Sequence, residues 1–175
     1  IEPPEGDTTR QLGPGRNPGM AAFYLGCNRS KRSIVLDLKQ DSGRKALFKL
    51  AETADVLMHN YRPDPARRLG VEYEKFEAIN PRLVYASISG FGSEGPERDR
   101  PAFDTVAQAA SGFLRLLVNP EHPRVVGPAI ADAMTGFYTA LGILAALNER
   151  HVTGKGRLVE TSMFEAMCHF NLDDF

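Results

Sequence analysis

Asp132 is the side chain whose setting most invites chemistry. It lies in Gly127-Pro128-Ala129-Ile130-Ala131-Asp132-Ala133-Met134-Thr135-Gly136 and is the only acid between Glu121 and Glu149. Two jobs fit it. A carboxylate near a helix start accepts bonds from free amides and is stabilised by the helix dipole. A carboxylate in apolar company, shielded from water and supplied with oxyanion donors, can instead act as a nucleophile that carries an acyl group. The pattern leaves both open.

The basic residues gather at predicted strand ends. Arg29, Lys31 and Arg32 precede the first predicted strand and Lys39 closes it; Arg62, Arg67 and Arg68 follow the second; Arg98 and Arg100 lie in the loop behind the third. Ligands of open α/β sheets bind outside the carboxyl ends of the strands. A convergence of Lys39, Arg68 and Arg100 would therefore suit a small ligand carrying several phosphates. Ordinary solvated charges account for the same composition. His59, His122, His151 and His169 are scattered, without a second ligand at metal spacing, so no metal site is expected. No Gly-x-Ser-x-Gly elbow and no Gly-Lys-Ser/Thr phosphate loop occurs. Thr153-Gly154-Lys155-Gly156 follows a helical stretch, so it reads as a helix stop and not as a phosphate cradle.

These residues need a scaffold, and the apolar periodicity outlines one. Residues 1–20 are rich in Gly and Pro and read as an extended loop. Strands are predicted at Ser33–Leu38, Asp55–His59 and Leu83–Ile88, with a further one at Arg157–Glu160. Helices are predicted from Asp41 to Ala51, up to Leu69-Gly70, from Tyr73 to Ile79, from Phe103 to Gly112, and from Ser162 towards Leu172. The longest runs from about Ile130 to Arg150, with Ile130, Met134, Phe137, Leu141 and Leu144 at helical spacing. Strands alternating with helices argue for βαβ units and a mostly parallel, Rossmann-like sheet with helices on both faces.

Composition narrows the rest. The 175 residues are 42 % hydrophobic and 25 % charged, the balance of a globular protein, and suffice for one sizeable core. A formal net charge of −1 gives no overall field towards nucleic acid or anionic membrane, so neither is expected as a partner. No uninterrupted apolar run reaches the ~18–20 residues of a membrane span, and no signal-peptide pattern is present. Cys27 and Cys168 lie far apart and read as reduced thiols of a cytoplasmic protein.

Four segments in order resemble CoA transferases of family III, the group that includes formyl-CoA transferase and carnitine CoA transferase. They are Asn28-Arg29-Ser30-Lys31-Arg32-Ser33-Ile34-Val35-Leu36-Asp37-Leu38-Lys39, Ala54-Asp55-Val56-Leu57-Met58-His59-Asn60-Tyr61-Arg62-Pro63, the run from Asn80-Pro81-Arg82 to Ser89-Gly90-Phe91-Gly92, and the segment from Asp132 to Thr153-Gly154-Lys155-Gly156-Arg157. Together they cover essentially the whole chain. The resemblance implies that Asp132 is the catalytic aspartate, acylated to a mixed anhydride and then converted to an aspartyl-CoA thioester. It implies coenzyme A contacts at Leu36, Asp37, Leu38 and Lys39, at Asn60 and Tyr61, at Arg68 and at Arg100. Coenzyme A or acyl-CoA is then a substrate, with no tightly bound cofactor, and a small carboxylic acid is the second one. Tyr61 stands where the family has Phe. A basic contact expected near the N-terminus aligns with Pro3, so either that contact is missing or a neighbour such as Arg10 replaces it. The loop from Phe113 to Arg124 is a candidate for shaping the acid site.

The resemblance further implies that residues 1–175 are one partial CoA-binding and catalytic α/β domain. The family's first strand and helix would precede Ile1, and a small second domain would follow Phe175. Full-length family members form interlocked homodimers. The related α-methylacyl-CoA racemases share the aspartate but need a histidine in an Ala-Gly-His-Asp motif; here Pro101-Ala102-Phe103-Asp104 puts Phe103 at that place, where it moves no proton. A racemase-like isomerase and a CoA-binding module without catalysis are the two alternatives.

Overall fold

The computed structural model describes residues 1–124 and 127–174. The chain divides into two compact units, residues 1–50 and 51–175.

The first unit is mostly irregular. A short 3-10 turn over Thr8–Gln11 is followed by α1 (Ala22–Cys27), and α2 (Asp41–Ala51) closes the unit. α1 escaped the sequence reading because its six residues show no repeating apolar pattern. The strand expected at Ser33–Leu38 is not formed. Val35 makes only an isolated parallel bridge to Glu2, with Glu2 N donating to Ile34 O and Leu36 N to Glu2 O, both at 2.9 Å. Beta-branched composition describes a residue's fit to a sheet; without a partner strand the segment stays extended but unladdered.

Glu2 holds the unit together. Its carboxylate takes a fork from Arg10, Nε and Nη2 each at 2.7 Å, together with the Asp7 amide and the Ser33 hydroxyl. These donors hold the Glu2 carboxyl well below the usual carboxylate range, Arg10 and Ser33 contributing most. The Arg10 guanidinium also lies 4.0 Å from the Tyr24 ring centroid.

The second unit carries the sheet. Its strands β1 (Val56–His59), β2 (Val84–Ser89) and β3 (Leu158–Ser162) run parallel in the order β1-β2-β3. β2 lies in the middle, and its Val84, Tyr85 and Ala86 are all buried, as a strand covered on both sides requires. The register puts Leu57, Tyr85 and Leu158 on one face and Met58, Ala86 and Val159 on the other.

Helices cover both faces. On the Tyr85 face, α4 (Tyr73–Ile79) packs Tyr73 and the fully buried Phe76 against the Tyr85 ring, at centroid distances of 5.6 and 5.7 Å. It follows α3 (Pro63–Leu69), which starts on a Pro suited to the first helical turn and ends on Gly70 in the left-handed region. On the Val159 face lies α7 (Ile130–Thr153), where a Cβ at Gly142 would come within 2.8 Å of Val159 Cγ1. Between β2 and α7 come α5 (Asp104–Ala110) and α6 (Phe113–Leu117), and α8 (Met163–Phe170) follows β3. Part of the predicted loop at Phe113–Arg124 is thus helical.

α7 runs antiparallel to the strands. Its last turn reaches the residues before β1 and β2: Arg150 donates to Asp55 Oδ1 at 2.7 Å and to Arg82 O at 2.9 Å. Gly154 then ends it in the left-handed region (φ 72°), and Gly156 N donates to Pro81 O at 2.8 Å. The start of α7 is thereby carried to the carboxyl-end side of the sheet. By length and composition α7 is apolar enough to cross a membrane, but Ala131, Thr135, Thr139 and Ala146 are buried within the protein.

Candidate active site

Asp132 occupies the first turn of α7. Its neighbour Ala131 is fully buried in a small core with Ala107, Met163 and Met167, packed by Phe113, Ile130 and Met134. One residue further on is about a quarter-turn round the helix, so Asp132 emerges at the surface. Its carboxyl is partly stripped of water and stands beside a second carboxylate, Asp104. Desolvation first, and the Asp104 charge second, push its pKa above the ordinary aspartate value.

The helix start is capped from outside. Ala129 at the N-cap has no side-chain acceptor. Instead Asp104 Oδ1 accepts from the amides of Ala131 at 2.8 Å and Asp132 at 3.3 Å. Gln108, one turn along α5 and 2 % exposed, donates Nε2 to Asp104 Oδ2 at 2.5 Å. Asp104 thus accepts from the first-turn amides, while Asp132 stands in the same turn, where the helix dipole favours a carboxylate. Sequence inspection missed Asp104 because the pairing spans 28 residues; its place directly after Phe103 was the available signal.

The surface along α7 from Asp132 is small and open. Ala133 is exposed, and a Cβ built on Gly136, one turn further, would meet nothing within 4 Å. Phe103, in the place of a racemase histidine, is 82 % exposed and offers no proton acceptor.

The residues expected to hold coenzyme A fall in both units. In the first, Leu36, Asp37, Leu38 and Lys39 form the turn leading into α2. Asp37 Oδ1 accepts from Lys39 N at 2.9 Å, and Arg44 of α2 donates to Leu38 O at 2.9 Å and Lys39 O at 3.1 Å. Gly43 permits this turn, because a Cβ there would lie 2.0 Å from Asp37 O. Arg10 is engaged by Glu2 and Tyr24, so it is not a free cation replacing the contact aligned with Pro3.

In the second unit, Asn60 and Tyr61 leave the carboxyl end of β1. Tyr61 stacks on His59 at 5.4 Å and its amide donates to His59 Nδ1 at 3.0 Å. Arg68 lies exposed in the last turn of α3. Arg100, in the loop after β2, pairs with Glu97 at 3.0 Å and lies 5.3 Å from the Phe91 ring centroid. Arg62 donates to Asp99 O at 2.7 Å, fastening the loop after β1 to the loop that carries Arg100.

A cleft of about 820 Å³ opens on the Tyr85 face of the sheet. Of the predicted site residues only Tyr61 lines it, and Glu72, Glu74, Glu94, Glu160 and Glu165 outnumber its one arginine, Arg67. That lining disfavours phosphates, so of the expected coenzyme A contacts the cleft borders only the Tyr61 ring. Burial pushes the pKa of His59, on its wall, down to about 4. Among the described residues no three His, Cys, Asp or Glu side chains gather as metal ligands.

The CoA-transferase family III profile matches residues 1–174. Acetyl-CoA:oxalate CoA-transferase of Acetobacter aceti is 43 % identical over 173 residues, covering 97 % of this chain and 44 % of that protein. Succinate–glutarate CoA-transferase of Agrobacterium fabrum is 38 % identical over 174 residues, 94 % of this chain and 43 % of that protein. The crystal structure of a CAIB/BAIF family protein from Brucella suis superposes with a TM-score of 0.91 at 38 % identity, covering 98 % of this chain and 47 % of the other. The chain thus spans slightly under half the length of these relatives. With the fold, the ordered motifs and the profile in agreement, the chain belongs to CoA-transferase family III.

Proposed function

We propose that the protein transfers coenzyme A from an acyl-CoA to a free carboxylic acid, with Asp132 as the covalent carrier. The observation that supports this most is the Asp132 carboxylate itself: surface-facing, partly desolvated, and set in a first turn whose amides Asp104 holds.

The steps balance without a cofactor. An Asp132 carboxylate oxygen attacks the thioester carbon; the C–S bond breaks, leaving a mixed anhydride and CoA thiolate. The thiolate attacks the Asp132 carbonyl carbon, expelling the donor acid and forming an aspartyl-CoA thioester. The acceptor carboxylate attacks that thioester and releases thiolate again. Thiolate then attacks the acceptor acyl carbon, giving the new acyl-CoA and free Asp132. One thioester replaces another, so the protein's work is to orient the reactants and keep water from the anhydride.

Leu36 to Lys39, Asn60, Tyr61, Arg68 and Arg100 are proposed as the CoA contacts, the cations meeting phosphates and the Tyr61 ring offering a flat face. Relatives are named for oxalate, succinate, glutarate and mesaconate, so a small dicarboxylic acid is the proposed substrate class. A cytoplasmic homodimer is the proposed state. α7 exposes Phe137, Leu141 and Leu144 at 71, 64 and 63 %, an apolar stripe of the kind subunit contacts cover.

The test uses the full-length protein with acetyl-CoA, formyl-CoA and succinyl-CoA. Hydroxylamine trapping and peptide mass spectrometry should find a hydroxamate on Asp132 with one donor. Asp132→Asn should bind CoA and give none. CoA binding with no adduct from any donor would reduce the protein to a binding module.

A further inference from the structure

We propose that Asp104 is a positioning residue for the Asp132 nucleophile, with Gln108 bracing it from behind. The inference rests on the reading of Asp132 as the acyl carrier. It adds a residue that acts through the first turn of α7 and forms no bond to substrate.

Three observations carry it. The first turn of α7 has no cap of its own, because Ala129 lacks an acceptor. Its amides at Ala131 and Asp132 are instead held by one oxygen of Asp104, from a different helix. A bond to the backbone of the nucleophile itself fixes where its side chain leaves the helix. Attack on a thioester depends on that direction, since a nucleophile must meet the carbonyl carbon along a narrow approach.

The second observation is the brace. Gln108 is 2 % exposed and gives Nε2 to the other Asp104 oxygen at 2.5 Å. Its Oε1 is buried without a hydrogen-bond partner among the described residues. A buried acceptor left unpaired is unfavourable. An apolar side chain of similar shape would avoid that penalty, so the amide is explained by its one donor bond. Both Asp104 oxygens are then occupied and its rotamer is fixed.

The third is electrostatic. A second carboxylate beside Asp132 opposes its ionisation. A neutral acceptor would cap the helix without that repulsion, so capping alone does not select an acid. The charge makes Asp104 a stronger acceptor for the two amides, tightening the turn that carries the nucleophile.

The experiment compares full-length wild type, Asp104→Ala, Asp104→Asn and Gln108→Leu. Three quantities are read: the single-turnover rate of Asp132 acylation at saturating succinyl-CoA, formyl-CoA or acetyl-CoA, the dissociation constant for CoA, and hydrogen exchange at the Ala131 and Asp132 amides. Asp104→Ala should slow acylation by about 100-fold, with CoA affinity unchanged and exchange accelerated at those two amides. Asp104→Asn keeps an acceptor oxygen and should recover about tenfold of the loss. Gln108→Leu, which removes the brace and the orphan oxygen together, should fold normally yet slow acylation.

Asp104→Ala acylating within about threefold of wild type would overturn the proposal, as would rate and CoA affinity falling in step. Wild type giving no Asp132 adduct at all would sink the underlying reading, and this proposal with it. A normal wild-type adduct with an indifferent Asp104→Ala would sink this proposal alone.

Discussion

The Asp104 carboxylate accepts a hydrogen bond from the backbone of Asp132, at 3.3 Å, across 28 residues of sequence. That bond joins the first turn of α5 to the first turn of α7. Because α7 is also pinned at its other end, the whole helix has a defined height along the sheet, and Asp132 with it.

The far pin can be tested by comparing its two partners. The Arg150 side chain is only 10 % exposed and spans Asp55 Oδ1 and Arg82 O, whereas the Asp55 side chain is 78 % exposed. Arg150→Met should lower stability by about 2 kcal/mol, because the mostly buried guanidinium loses its bonds to the Arg82 and Asp55 carbonyls. Asp55→Ala should lower it by less than about 1 kcal/mol, as an exposed ion pair does. Urea midpoints of the two variants decide it; equal losses would mean the ion pair, and not the carbonyl bonds, holds the helix end.

Gly136 should separate activity from stability. Open space above its Cα leaves room for a side chain, and replacing Gly inside a helix gains about 1 kcal/mol of propensity. Gly136→Leu is therefore expected to raise the thermal midpoint while obstructing access to Asp132, one turn away, and abolishing acylation. A Leu variant with normal acylation would show that substrate approaches from another side.

The two glycines after α7 should differ. Gly154 lies at φ 72°, and a Cβ there would meet only Arg82 Nη1 at 4.0 Å, so Ala costs the left-handed strain of about 1–2 kcal/mol. At Gly156 a Cβ would fall 2.0 Å from Leu83 O, a clash with backbone that cannot swing away. Gly156→Ala should cost about 3 kcal/mol or more and loosen the join between α7 and the sheet. Thermal melts of the pair make the comparison.

His59 gives stability a pH dependence with a known sign. Burial lowers its pKa from 6.5 to about 4. Below pH 6.5 the unfolded chain takes up a proton that the folded protein refuses, so this contribution is complete above pH 6.5 and lost as pH falls towards 4. Its Nε2 also lies 2.7 Å from Tyr85 Oη. His59→Gln should flatten the stability profile between pH 6.5 and 4, measured by urea unfolding; an unchanged slope would show that other groups produce it.

Much of the scaffold is legible in the sequence. Alternating apolar runs located β1, β2, β3 and the long α7, because burial imposes a period on each element. The motif order pointed to the family, and the spacing of apolar residues put Asp132 at the start of the long helix. Local patterns failed where partners were decisive. Ser33–Leu38 has strand composition, yet only Glu2 bridges it. Arg10, named as a replacement for the contact aligned with Pro3, is paired with Glu2, eight residues away.

The sequence by itself determined the sheet strands, the long helix, the family and the identity of the candidate nucleophile, since those follow from periodicity and from motifs contiguous in the chain. Only the tertiary structure decided which acid holds the first-turn amides of α7. The stretch of chain around Asp132 fits a capping acid as well as a reactive one, and nothing in it tells whether another acceptor reaches the amides of α7. Asp104 does so from α5, with Gln108 behind it. Such a relation between distant residues leaves no period in the sequence, because hydrogen bonds between separate elements depend on how helices stack and not on spacing within either one.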